Sequence, residues 1–262
     1  PVFEPVAGFH RARIQDFRPI QRVNLKTSDK TSNTDTIVVS DVHLGSDVSR
    51  SRELRKALKN WYPFKRLIIL GDLFEDLNFK KLTADDFGVI DDLRQLSKKT
   101  DVQVDWIEGN HDEGAHHLIN RLIGCATHDE LILDMHGKRF LLMHGHQFDR
   151  FLQNNPLMSE LAGNLYIAVQ TWEGKTRSLS RWLKKKSKKW LKVCQKVERL
   201  AVTHAASYGV DYILCGHTHY YDARLKRSHP DIEYINTGCW TDSPCTLTTI
   251  CDDHGLKQHV YD

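Results

Sequence analysis

Thr36-Ile37-Val38-Val39-Ser40-Asp41-Val42-His43 decides the reading of this chain: a short apolar run ends and an Asp-x-His pair follows at once. The same arrangement returns along the sequence. Leu67-Ile68-Ile69-Leu70 leads into Gly71-Asp72, and Trp106-Ile107-Glu108 into Gly109-Asn110-His111-Asp112. Phe140-Leu141-Leu142-Met143 leads into His144-Gly145-His146, and Tyr212-Ile213-Leu214-Cys215 into Gly216-His217-Thr218-His219. Short apolar runs without alternation read as strands buried on both faces, and ligands at their ends converge on one sheet edge. Neutral imidazoles, carboxylates and an amide oxygen suit Mn first, with Fe, Zn or Mg as alternatives, and need no thiolate. Two divalent ions about 3.5–4 Å apart can clamp the attacking and leaving oxygens of a phosphate displacement. The pattern reads as a two-metal α/β enzyme.

Outward from that stretch, strands alternate with helices. The core starts at Thr36; a helix is expected across Ser51–Asn60, a strand at Arg66–Leu70, a helix over Ala84–Ser97 and a strand over Val102–Glu108. Such alternation implies parallel strands with right-handed crossovers. After Gly124 the texture changes. Glu130–Met135, Lys138–Met143, Tyr212–Cys215, Ala223–Arg227, Ile232–Asn236, Cys245–Cys251 and Leu256–Tyr261 read as strands with short turns. That run suggests hairpins and a second sheet packed on the first. Residues 1–35 read as an N-terminal extension and 36–262 as the catalytic domain.

Residues 147–207 carry helical periodicity instead. Leu179, Trp182, Leu183, Trp190, Val193, Cys194, Val197 and Leu200 form an apolar stripe opposite Lys184, Lys185, Lys188, Lys189 and Lys192. This helical insert leaves after His144 and returns before His217, which places it beside the metal site as a lid. Its basic stretch admits three readings: a packed amphipathic helix with solvated lysines, a lid against an acylated anionic substrate and an anionic membrane surface, or a nucleic-acid contact.

Composition narrows the class. The chain has 262 residues, 40% of them hydrophobic, with a net charge of +3. No apolar stretch approaches the length of a membrane span, and the N-terminus carries no signal-peptide pattern. The six cysteines show no C-x-x-C spacing and read as thiols in a reducing cytosol.

The ordered set D-x-H, G-D, G-N-H-D, H-G-H and G-H-T-H across residues 36–219 resembles the calcineurin-like metallophosphoesterase superfamily. The resemblance implies a four-layer α/β/β/α sandwich with the metals at the sheet edge. It assigns Asp41, His43 and His219 to a first ion with Asp72 bridging, and Asn110, His144 and His217 to a second. His111 would contact the phosphate or protonate the leaving group, oriented by Asp112. Within the superfamily, the helical insert and Tyr234-Ile235-Asn236-Thr237-Gly238-Cys239-Trp240 are similar to the UDP-2,3-diacylglucosamine pyrophosphatase-like family. That likeness implies lipid A synthesis at the inner face of the membrane, with release of UMP and 2,3-diacylglucosamine 1-phosphate. The dedicated pyrophosphatase has Arg in place of His111, and H-G-D in place of His144-Gly145-His146. The pattern here is closer to paralogues, so a broad phosphodiesterase of nucleotides, cyclic nucleotides or nucleic-acid ends is the alternative.

Further candidates lie around this set. Asn78, Phe79, His146 and Trp182 are expected to line the substrate pocket, and Cys239-Trp240 to support the site from behind. One or more of Arg50, Arg52 and Arg55 could reach a substrate phosphate, with a solvated helix face as the alternative. His116 and His117 sit in an apparent helix and are left out of the metal set. A metal-stabilised scaffold that binds membranes or nucleic acid is the non-enzymatic reading, disfavoured because every ligand position is intact.

Overall fold

The computed structural model of the protein describes residues 22–24, 34–148, 188–221, 231–252 and 255–261. Its elements run β1 (Arg22–Asn24), β2 (Thr34–Val39), α1 (Ser51–Trp61), β3 (Arg66–Leu70), α2 (Ala84–Ser97), β4 (Gln103–Ile107), α3 (His116–Ile123) and β5 (Ala126–His128). They continue with β6 (Glu130–Met135), β7 (Lys138–Met143), α4 (Lys188–Ala206), β8 (Tyr212–Cys215), β9 (Glu233–Asn236), β10 (Cys245–Cys251) and β11 (Gly255–Tyr261). A seven-stranded sheet has the order β1-β11-β10-β2-β3-β4-β5, and a four-stranded sheet the order β6-β7-β8-β9. Strands β2 to β5 run parallel to one another, as do β7, β8 and β9.

The continuous apolar runs are explained by burial on both faces, since successive side chains along a strand point opposite ways. In β2, Ile37 and Val39 meet the helices α1–α3, while Val38 faces the other sheet. In β3, Leu67 and Ile69 take the first role, Ile68 and Leu70 the second. In β7, Phe140 and Leu142 close the core between the sheets; Leu141 and Met143 turn outward to Ala201, Val202 and Ala205 of α4. The layers are therefore α, β, β, α.

Local signals set the helices. Thr83 and Asp86 form a reciprocal capping box at the start of α2. Gly124 ends α3 with φ +82°, the left-handed cap that glycine adopts without a Cβ penalty. Arg52 pairs with Asp85 at 3.0 Å and Arg55 with Asp92 at 2.7 Å, stitching α1 to α2. Those two guanidiniums thus hold helix to helix, a use the sequence reading did not foresee.

The structure departs from the sequence reading in three places. The hairpin β10–β11 returns to the first sheet, with β10 antiparallel to β2, instead of joining the second. Beyond the β6–β7 hairpin, the second sheet is extended by parallel strands. Within residues 1–35, Arg22–Asn24 pairs in parallel with β11 at the sheet edge. Residues 149–187 of the insert, Trp182 among them, and the expected strand Ala223–Arg227 lie outside the described residues. The described end of the insert is α4, where Cys194 and Val197 of the stripe are buried, Trp190, Val193 and Leu200 are half-buried, and Glu198 and Ala201 are buried beside them. No described helix is long and apolar enough to cross a membrane. All six cysteines are buried, and none is in a disulfide.

Candidate metal centre

Five loops leave the carboxyl ends of β2, β3, β4, β7 and β8 and bring the candidate ligands to the seam between the sheets. The first two loops run side by side. Asp41 N–H donates to Gly71 O at 3.2 Å, and Val42 and His43 N–H both donate to Asp72 O at 3.0 Å. The third loop is tied in where His111 N–H donates to Asp72 Oδ1 at 2.9 Å.

Asp41, His43, Asp72, His217 and His219 all have positive φ, between +50° and +64°. Among the described residues only one other non-glycine residue does so, His136 in the β6–β7 turn. Asp and His tolerate this region better than branched residues, yet each such residue still costs about 1 kcal/mol. Strain held at five candidate ligands turns their side chains off the strand direction and toward one another. Glycines make room for them: a Cβ on Gly71 would strike the His144 ring, one on Gly109 the Asp72 carboxylate, and one on Gly216 the Asp41 carboxylate.

The donor atoms of Asp41, His43 and His219 lie within 4.8 Å of one another, as do those of Asp72, His144 and His217. His43 and Asp72 also group with His111. Within the groups His219 Nε2 lies 3.1 Å from Asp41 Oδ1 and His144 Nε2 3.2 Å from Asp72 Oδ2; between them His43 Nε2 lies 3.7 Å from Asp72 Oδ2. Each of these rings has its other nitrogen beside a polar group. His144 Nδ1–H donates to Leu70 O at 3.0 Å, His43 Nδ1 lies 2.9 Å from Glu75 Oε2, and His219 Nδ1 lies 3.5 Å from Thr241 Oγ1. Anchoring Nδ1 in this way presents Nε2 to a metal. Asn110 adds a buried Oδ1 with no hydrogen-bond partner in the protein, the sort of acceptor a cation would satisfy.

Charge follows geometry. Burial would push the Asp41 carboxyl up, but His219 and His144 beside it hold it below the usual carboxylate range. His144 and His43 do the same for Asp72 against its own burial. Burial lowers His144, and Asp72 more than reverses this, raising it to about 9. Two buried carboxylates that stay ionised, an orphaned amide oxygen and four imidazoles make a donor set that fits divalent ions.

His111 is exposed, and its Nδ1 lies 2.7 Å from Glu75 O. A carbonyl only accepts, so Nδ1 carries the proton and Nε2 is left to exchange one. The expectation that Asp112 orients His111 is not what the contacts give. Asp112 is fully buried and accepts from Leu73 N–H at 2.7 Å, Phe74 N–H at 3.3 Å and Gly109 N–H at 3.1 Å. It locks the β3 and β4 loops together, and the His111 ring is set by Glu75 instead.

His146 is buried, its ring centre 5.4 Å from that of His144 and 6.4 Å from that of His217. Asn78 caps the 3-10 turn Phe79–Lys81 by accepting from Lys80 N–H, and Phe79 packs on the Phe74 ring at 5.4 Å. His116 heads α3 between Glu108 and Asp129, 3.3 and 3.2 Å away. Two supporting residues escaped the sequence reading. Glu75 braces His43 from a loop with no periodicity. Asn236 Nδ2 donates to Gly216 O at 2.6 Å and Thr218 Oγ1 at 3.0 Å, steadying the His217–His219 loop; its place as the polar last residue of a strand, before Thr237-Gly238, was the available signal.

The profile described as Calcineurin-like phosphoesterase (Metallophos) matches residues 35–221. A search of curated protein sequences found no significant match. Among solved structures, the chain is similar to an archaeal phosphodiesterase at 16% identity and TM-score 0.47, covering 86% of this chain and 98% of that one. It is similar to a predicted phosphoesterase from Streptococcus pneumoniae TIGR4 at 16% identity and TM-score 0.36, covering 88% and 99%. Vacuolar Protein Sorting 29 from Cryptosporidium parvum follows at 13% identity and TM-score 0.43, covering 87% and 97%. Likenesses this distant bring no activity across.

Proposed function

The chain belongs to the calcineurin-like phosphoesterase family, and from that premise we propose that it hydrolyses a phosphodiester or pyrophosphate bond at the seam between its two sheets. One observation carries the reading: two groups of His and Asp donors lie side by side, joined by Asp72 and flanked by the partnerless Asn110 Oδ1. When bound, two divalent ions supply Lewis acidity and a water of lowered pKa. Asp41, His43 and His219 would hold one, Asn110, His144 and His217 the other, with Asp72 between them; Mn is the first metal to load.

The chain's own residues do the rest. Positive-φ loops and the backbone bonds to Asp72 O keep the ligands in place before substrate arrives, so little reorganisation is needed at reaction. His111 is exposed with its Nδ1 proton on Glu75 O, and as the imidazolium it carries a second proton on Nε2 that it can direct to the phosphate or give to the leaving oxygen. A sugar-phosphate leaving group scarcely needs that proton, whereas an alkoxide does. His111 therefore favours a broad phosphodiesterase. The insert and the Tyr234–Trp240 sequence favour UDP-2,3-diacylglucosamine, with the basic stretch against an anionic membrane surface.

Turnover of bis(p-nitrophenyl) phosphate and of UDP-2,3-diacylglucosamine by the Mn-loaded protein, with Asp72→Ala as control, tests both. Hydrolysis of either that is lost in the control supports the phosphoesterase reading, and UMP release at low enzyme concentration selects the lipid. Activity on neither substrate under a full metal screen would overturn it.

A further inference from the structure

His219 belongs to two donor groups at once. One is Asp41, His43 and His219; the other is His219, Cys239 and Asp242, again with all donor atoms within 4.8 Å. The ring can serve both because its nitrogens diverge. Nε2 lies 3.1 Å from Asp41 Oδ1, while Nδ1 faces the 239–242 loop, 3.5 Å from Thr241 Oγ1. That loop is held to the site by backbone, with Trp240 N–H donating to Asp41 O at 3.0 Å. Cys239 is buried, and Asp242 is half-buried. No other cysteine joins a group of three such donors among the described residues.

We propose that His219, Cys239 and Asp242 form a separate site for a thiophilic divalent cation such as Zn2+ or Cd2+, which competes with the phosphoesterase centre for His219. The binding half stands on this geometry alone; the competing half rests on the function proposed above.

The donor chemistry separates the two centres. The phosphoesterase groups offer only imidazole, carboxylate and amide oxygen, whereas this one adds a sulfur, which selects softer ions. The proton balance gives the competition its form. A cation at Nδ1 requires that nitrogen's lone pair, so a proton there goes to solvent while Nε2 keeps its own, donated to Asp41 Oδ1. The Cys239 thiol gives its proton to solvent as the cation–sulfur bond forms. No electrons are transferred, and His219 is withdrawn from the Asp41 and His43 group.

Cd2+ titration of the full chain, followed by cadmium–thiolate ultraviolet absorption, tests the site without reference to activity. A saturating band is expected in the wild type, lost in Cys239→Ser and shifted to about tenfold higher Cd2+ in Asp242→Asn. Asp242→Asn, at a half-buried position, keeps the test open if the buried Cys239 variant fails to fold. Absence of the band, or a band that survives in Cys239→Ser, overturns the site. Zn2+ inhibition of the Mn-loaded protein on bis(p-nitrophenyl) phosphate tests the competition. Inhibition weakened about tenfold in Asp242→Asn supports it. Unchanged inhibition overturns the competition while leaving the cadmium result standing. A protein with the cadmium band but no hydrolysis overturns the proposed function and not this site.

Discussion

Replacing Asp112 separates a bracing role from a catalytic one. Its carboxylate accepts from Leu73, Phe74 and Gly109 N–H, at 2.7, 3.3 and 3.1 Å. Alanine leaves three buried donors without it, at about 2 kcal/mol each, or about 6 kcal/mol together. Against this stands the cost of the buried charge. Burial, then Asp72, push the carboxyl from 3.8 up to about 6, which corresponds to about 3 kcal/mol against the ionised form at neutral pH. Asp112→Ala recovers that cost, so the net loss is about 3 kcal/mol, or about 6–12 °C in Tm for a chain of this size. Asp112→Asn keeps an oxygen for Leu73 and Phe74 and loses only the Gly109 bond; about 2 kcal/mol lost against about 3 recovered leaves it near wild type. The pH dependence has a definite sign. A carboxyl raised in the folded state binds more protons there than in the unfolded chain, so this group's contribution falls as pH rises from about 4 to about 6. Asp112→Asn lacks that slope. Urea unfolding of the metal-free variants from pH 4 to 8, with diester hydrolysis after Mn loading, reads all of this. An alanine variant as stable as wild type would refute the bracing argument, as would an asparagine variant that folds normally yet has no activity.

Three further expectations follow from the site. Gly216→Ala drives a Cβ into the Asp41 carboxylate and should weaken metal binding about 10–100-fold in equilibrium dialysis while circular dichroism stays native. His144 is raised to about 9 in the metal-free protein by Asp72 outweighing burial; its proton must leave when a cation binds, so metal uptake at pH 7 should release protons and tighten toward pH 9. Calorimetry in two buffers of different ionisation enthalpy measures the release, and identical heats would contradict it. His111→Ala should slow an alkyl diester about 100-fold or more and a p-nitrophenyl diester much less; equal losses on both would leave His111 only a phosphate contact.

The sequence made the strand ends legible because burial on both faces leaves unbroken apolar runs, and the polar residue that ends each run stands out. Arg66–Leu70, Glu130–Met135, Lys138–Met143, Tyr212–Cys215 and Cys245–Cys251 have their expected bounds. What stayed hidden depends on contacts across long separations. Nothing local says that β10, rather than a strand of the second sheet, pairs with β2, because both sheets ask for the same apolar pattern. Glu75 reads as one acid among several until His43 is seen beside it. The resemblance implied that Asp112 orients His111, which it follows directly in sequence, yet the Asp112 carboxylate accepts from Leu73 and Phe74 N–H instead.

The place of β2 in the first sheet bears on how this chain is made. One edge of β2 is covered early by β3, but the other takes β10, with Val38 opposite Thr248, about 200 residues later. At about 5–20 residues per second, that second edge emerges from the ribosome about 10–40 s before its partner exists. Throughout that interval Ile37, Val38 and Val39 present open backbone donors and acceptors, an invitation to any other extended chain nearby. The strand that launches Asp41 and His43 is therefore also a sticky edge of the nascent chain, and slow synthesis through residues 40–245 should favour aggregation before it favours folding.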